Sequence, residues 1–231
     1  MNKFERKILF SRLSVILLVS FLMISEGIAN LTADQEKINW DKLFMALKGI
    51  EEDASRKNIF SFLSLIPEQY TQNQVGDERK FLDAIDSSKI FEQLLVNGDP
   101  LIAESAFRLM AFILPGAYYE DFFIMLGKLA TNYPKLFLEM LNKYKNNFEY
   151  EYPVTMTEIL DIVPDIVTEE DSRRRYLEEL RLYEKRLQAL SSVTDEELTE
   201  VRDRCIKEIE KIIMDLKSRI KETLCSHFEK N

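Results

Sequence analysis

Carboxylates are the abundant reactive groups in this chain, and five of the 40 cluster in sequence. Asp161, Asp165, Glu169, Glu170 and Asp171 crowd around Pro164. Acids at that density could ligate Ca²⁺, or supply the acid and base of a glycosidase-like pair. Neither spacing is diagnostic, and acids are favoured in the first turn of a helix in any case. Glu120-Asp121, beside Tyr118-Tyr119, reads the same way. The single histidine, His227, falls in the last turn of the last helix, where a cation complements the helix dipole. One terminal imidazole builds no Ser-His-Asp triad and excludes the paired Glu-x-x-His ligands of di-iron bundles. The chain has no G-x-S-x-G, phosphate-binding loop, dinucleotide fingerprint, EF-hand loop or C-x-x-C. No catalytic, cofactor-binding or metal-ligating residue is therefore assigned.

Three features remain as candidates for recognition. Arg173-Arg174-Arg175 is the one basic run. Its neighbouring acids would pair with it, or it would meet an acidic partner. Phe148, Tyr150 and Tyr152 alternate with Glu149, Glu151 and Pro153, which is the period of a strand. Pro153 confines such a strand to an edge. The segment is either a linker anchored by its aromatics or an aromatic lip for a peptide. Cys205 and Cys225 both lie in the last helix, where 20 residues separate them by about 30 Å. A disulfide needs Cα atoms within about 7 Å, so they do not pair with each other. Cys205 reads as a buried thiol and Cys225 as the one thiol able to form an intermolecular bridge.

The elements that would carry these residues are helices. Six Gly and six Pro in 231 residues are few for sandwiches, barrels or nucleotide-binding sheets. Apolar residues three and four apart predict helices over Asp34–Leu47 (ended by Gly49), Ser55–Ile66, Glu78–Ile85 and Ser88–Val96. A fifth starts at Asp99, with Pro100 at its first position and Asp99 as its cap. Further helices are predicted over Tyr118–Ala130 and from Pro134 to about Lys145. Pro67, Pro100, Pro134 and Pro164 are spaced by 33, 34 and 30 residues, the size of a two-helix repeat. The stretch Asn97-Gly98-Asp99-Pro100-Leu101-Ile102-Ala103-Glu104-Ser105-Ala106 resembles the turn and second-helix start of a HEAT-like repeat. The resemblance covers residues 88–114 and lacks the usual Arg after the turn. It implies a short α-solenoid-like array; an irregular helical bundle is the other reading.

From Thr168 the chain becomes long charged helices. Tyr176, Leu180, Tyr183, Leu187 and Leu190 form a short coiled-coil seam. Thr194-Asp195-Glu196-Glu197 has the form of a capping box. The following helix carries Leu198, Val201, Cys205, Ile209, Ile212, Leu216 and Ile220 as its apolar stripe. A long antiparallel helical hairpin over residues 166–231 is expected, after a helical body over 30–165.

The first 29 residues read as a secretory signal peptide. A basic start precedes the apolar run Leu13–Ile24, and Gly27-Ile28-Ala29 offers a cleavage site before Asn30. Removing four basic and two acidic residues takes the net charge from −9 to −11. Such a chain repels nucleic acid and anionic lipid. No other apolar segment is long enough to span a bilayer. The expectation is an all-α, exported, non-enzymatic protein that binds another protein or peptide, with a homodimer left open. The alternatives are an apolar-ligand or lipid carrier using the Phe-rich stretch Phe107–Phe137, and a carboxylate-dependent hydrolase.

Overall fold

The computed structural model describes residues 38–68, 79–110, 117–144 and 169–229, the side chains of 117–121, 169–170 and 224–229 excepted. The chain divides into two compact units, 1–37 and 38–231, and every described residue belongs to the second. The chain is all-α: the described elements are helices. They are α1 (Trp40–Glu52), α2 (Arg56–Ser64), α3 (Arg79–Asp86), α4 (Lys89–Val96), α5 (Pro100–Met110), α6 (Ala117–Asn132), α7 (Pro134–Tyr144), α8 (Glu169–Ser191) and α9 (Thr199–Glu229). A 3₁₀ turn, Glu196–Leu198, leads into α9. The signal segment and the strand-like stretch around Phe148 lie outside the described residues.

Helices pack first on their sequence partners: α1 on α2, α4 on α5, α6 on α7 and α8 on α9. Each pair then packs on the next, first helix to first helix (α1–α4, α4–α6, α6–α8) and second to second (α2–α5, α5–α7, α7–α9). The short helix α3 lies outside this scheme and packs on α1 and α6. Pro100 and Pro134 open the second helices of consecutive pairs, which accounts for their 34-residue spacing.

One apolar core runs through all four pairs. Phenylalanine rings thread it: Phe62 packs near Phe81 (6.3 Å between centroids) and Phe91 (6.0 Å), and Phe91 near Phe122 (6.2 Å). Phe107 meets Phe137 edge-on at 5.7 Å. Phe107, Phe122, Phe123 and Phe137 of the Phe-rich stretch are buried in this core, and the edge and tilted ring pairs are arrangements that ring quadrupoles favour. From α8 through the 3₁₀ turn into α9 the inward line is Tyr183, Leu190, Leu198, Val201, Cys205, Ile209, Ile213 and Leu216. Ile213 takes the buried place expected for Ile212, which is only half-buried. Spacings of 3, 4, 4, 4 and 3 between Leu198 and Leu216 follow the 3.6-residue period of a helix more closely.

Two expected helix boundaries are corrected. Gly49 does not end α1. Of the described glycines only Gly98 has positive φ, and α1 continues to Glu52. The chain leaves the helix at Asp53, whose extended backbone (φ −150°) still donates its N–H to Gly49 O. Thr194 does not form a capping box: it is exposed, and Asp195 precedes the 3₁₀ turn without a side-chain capping bond. The Asp195 carboxylate accepts instead from Lys135 Nζ at 2.6 Å.

Candidate functional site

The turns inside successive helix pairs touch one another and form a ladder along one edge. At the second turn, Gly98 (φ +75°) ends α4, and the Asp99 N–H bonds back to Leu94 O at 2.9 Å. This is the glycine-closed helix end that a left-handed residue permits. Asp99 then caps α5: its Oδ1 accepts from the backbone N–H groups of Leu101 (3.0 Å) and Ile102 (3.2 Å). Its other oxygen accepts from Arg56 Nη1 at 2.7 Å, joining the first turn to the second. Gly98 carries the ring of Tyr133, which joins the second turn to the third. Lys135 reaches Asp195 and joins the third turn to the fourth.

Between the third and fourth turns lies an open cleft of about 570 Å³. Tyr133, Pro134, Leu136 and Val193 give it an apolar lining, and Lys135, Glu139 and Asp195 a charged rim. A second cleft, of about 560 Å³, lies between α1 and α3 and is lined by Phe44, Lys48, Glu51, Arg79, Lys80 and Asp83, with Ala84 and Ser87.

The strongest electrostatic feature is interior and was missed in the sequence. Arg108, 8% exposed, donates Nε to the Tyr144 hydroxyl (3.0 Å), Nη1 to Ile66 O (3.0 Å), and Nη2 to Glu68 (2.9 Å) and Glu104 (2.5 Å). The same Glu104 Oε1 accepts from Lys143 Nζ (2.8 Å) and the Tyr144 hydroxyl (2.7 Å). Burial pushes the Glu104 carboxyl up, but donation by Lys143, Tyr144 and Arg108 outweighs it and holds the group at about 2. Burial likewise pulls the Arg108 guanidinium down, and its bonds to Glu104 and Tyr144 bring the net shift upward. The cluster ties α5, α7 and the exit of α2 together. A carboxylate held ionised by three donors is a poor general acid, so this is a clamp rather than catalytic equipment. The legible signal was the i,i+4 pair Glu104–Arg108 within an otherwise apolar helix.

The basic run lies in the first turns of α8, and its three side chains differ in exposure and contacts. Arg174, 3.4 Å from Asp171, points to solvent. Arg175 lies 4.0 Å from Glu179, with its guanidinium 5.6 Å from the Tyr176 ring centre. Arg173 is half-buried. Phe148, Tyr150, Tyr152 and the acids Asp161 and Asp165 lie outside the described residues, as do the side chains of Cys225 and His227. Cys205 is a free, buried thiol, pushed up to about 12 by burial. Among the described residues, no group of three or more His, Cys, Asp or Glu side chains could hold a metal ion. Among them also, no helix is long and apolar enough to cross a membrane.

No known family model, curated protein or solved structure matches this chain.

Proposed function

We propose that this chain is an exported, non-enzymatic binding module whose stacked helix pairs hold a segment of another protein. The observation that carries the reading is the turn-edge cleft: an apolar lining of Tyr133, Leu136 and Val193, ringed by the exposed Lys135 and Glu139 and the half-buried Asp195. Such a lining suits an apolar side chain on an extended or helical segment, with the rim fixing its direction. The most perturbed carboxylate among the described residues, Glu104, is already committed to three internal donors, which makes it a poor acid for an acid–base pair. Export follows from the leader, and the net negative charge favours a protein partner over nucleic acid.

Two measurements test this. N-terminal sequencing of the exported protein should begin at Asn30. A photo-crosslinking residue at Leu136 should give discrete protein adducts in the native setting, and one at Lys207 on α9 should not. Equal labelling at both positions, or a bound lipid in a native mass spectrum with no adducts, would overturn the binding-module reading.

A further inference from the structure

Asn97-Gly98 is the only Asn-Gly pair in the 231 residues, and it forms the second turn. This dipeptide has a chemistry of its own. The main-chain nitrogen that follows an asparagine can attack the side-chain amide carbon and close a five-membered ring. Glycine leaves that nitrogen unhindered, because it has no Cβ. The turn itself calls for the glycine, since φ at Gly98 is +75°. Asn97 is exposed, so water reaches its side chain.

The fold holds the reactive pair apart. Ring closure needs Cβ of Asn97 nearly eclipsed with the Gly98 nitrogen across the Cα–C bond. Asn97 has ψ 6°, which turns the two away from each other by more than a right angle. The same nitrogen donates its N–H to Leu95 O at 3.0 Å. Swinging it toward the side chain would also break the bond from Asp99 N to Leu94 O, 2.9 Å, and carry Gly98 away from the Tyr133 ring. Attack therefore needs the second turn to lift off the third.

We propose that Asn97 is a site of spontaneous deamidation that the stacked turns hold shut, so that opening of the second turn sets its rate. In the opened turn a bond forms between the Gly98 nitrogen and Cγ of Asn97. That nitrogen gives its proton to solvent, and the side-chain amide takes one up and leaves as ammonia. Water then opens the ring at either carbonyl, giving aspartate or isoaspartate at position 97. Both products put a carboxylate at the C-terminal end of α4, where the helix dipole disfavours it. Isoaspartate also adds a carbon to the main chain, which shifts Gly98 against both Leu95 O and the Tyr133 ring. The ammonia is not regained, so each molecule whose turn has opened in this way stays marked.

The test keeps the purified protein in mildly alkaline buffer, with and without urea above its unfolding midpoint. Peptide mapping by mass spectrometry follows conversion at Asn97, and an isoaspartyl methyltransferase reports the isoaspartate. Asn97 should convert in urea, and in the native parent at least about tenfold more slowly. Asp99→Ala removes the cap beside the pair and leaves Asn97-Gly98 unchanged. Its native rate, divided by its own rate in urea, should exceed the parent's ratio by about tenfold. Tyr144→Phe weakens the Glu104 clamp instead, and its ratio should stay within about twofold of the parent's. Circular dichroism checks that both variants are folded. If Asp99→Ala is not, Arg56→Ala, which removes only the cation tied to that carboxylate, should raise the ratio about threefold. Equal native and urea rates in the parent overturn the proposal, as does no conversion in urea. Equal acceleration at the turn and at the clamp also overturns it, because global unfolding rather than the turn would then expose the pair.

Discussion

The ring of Tyr133 lies against the face of Gly98 from which a side chain would project. A Cβ at Gly98 would meet Cδ1 and Cγ of that ring at 2.6 Å. Gly98 also has φ +75°, where L residues are strained. Gly98→Ala should therefore lower stability twice over: about 1–2 kcal/mol for the left-handed backbone and about 1–3 kcal/mol for overpacking against the ring. Urea unfolding measures the sum. In a double-mutant cycle, adding Tyr133→Ala should recover the steric part and leave the backbone part. A neutral Gly98→Ala would refute the stacking of the second turn on the third.

Two capping substitutions should separate sharply. Asp99 accepts from two backbone N–H groups and from Arg56, so Asp99→Ala should cost about 2 kcal/mol, the upper end for a lost cap. Thr194 is exposed and caps nothing, so Thr194→Ala should change stability by less than about 0.5 kcal/mol. Comparable losses at the two positions, in thermal or urea unfolding, would restore the capping box at Thr194.

The contrast between those residues shows which signals were local. Asp99-Pro100 was legible because both halves of the device, the acceptor side chain and the helix-opening proline, sit next to each other in sequence. Thr194 carried the same kind of signal, yet the 3₁₀ turn opens after Asp195, whose carboxylate accepts from Lys135 sixty residues away. The all-α class and most helix ranges followed from periodicity alone. The choice of Ile213 over Ile212 did not, because one residue of register along a long helix is set by the opposing surface. The clamp at Glu104 was hidden for a related reason: its donors come from α5 and α7, the exit of α2 adds acceptors for Arg108, and only the Glu104–Arg108 spacing is local. The α1–α3 cleft joins a local signal, Lys48 four residues after Phe44, to a distant one, Lys80 on the same ring.

Cys205 should be chemically silent in the folded protein. The thiolate is the reactive form, and burial holds this thiol up at about 12. In a Cys225→Ser background, an aromatic disulfide reagent at pH 8 should label Cys205 only at the rate of unfolding, and at once in denaturant. Rapid labelling under native conditions would mean that the α8–α9 interior opens locally. Cys205→Ser should cost about 1–3 kcal/mol, since a hydroxyl there needs a partner that the thiol does not.

Glu104 gives a prediction with a defined pH window. Glu104→Gln keeps the shape of the side chain and can keep a carbonyl oxygen where Oε1 accepts from Arg108, Lys143 and Tyr144, but it removes the charge that those donors face. Breaking a largely buried ion cluster from one side should cost about 2–4 kcal/mol at neutral pH. The folded carboxyl titrates at about 2, below its ordinary 4.5. For a depressed carboxyl, the stabilisation is complete above the unfolded value and is lost as pH falls toward the folded one. The shift corresponds to about 2 kcal/mol once partial solvent screening is allowed for. Urea midpoints of parent and Glu104→Gln should therefore differ by a constant amount from pH 8 to about pH 5.5, and the gap should narrow by roughly half by pH 3. Tyr144→Phe removes the hydroxyl that donates to Glu104 and accepts from Arg108, and should show a smaller loss of about 1–2 kcal/mol. A gap that stays constant down to pH 3 would show that Glu104 titrates at the same pH folded and unfolded, and that the three donors do not hold its charge.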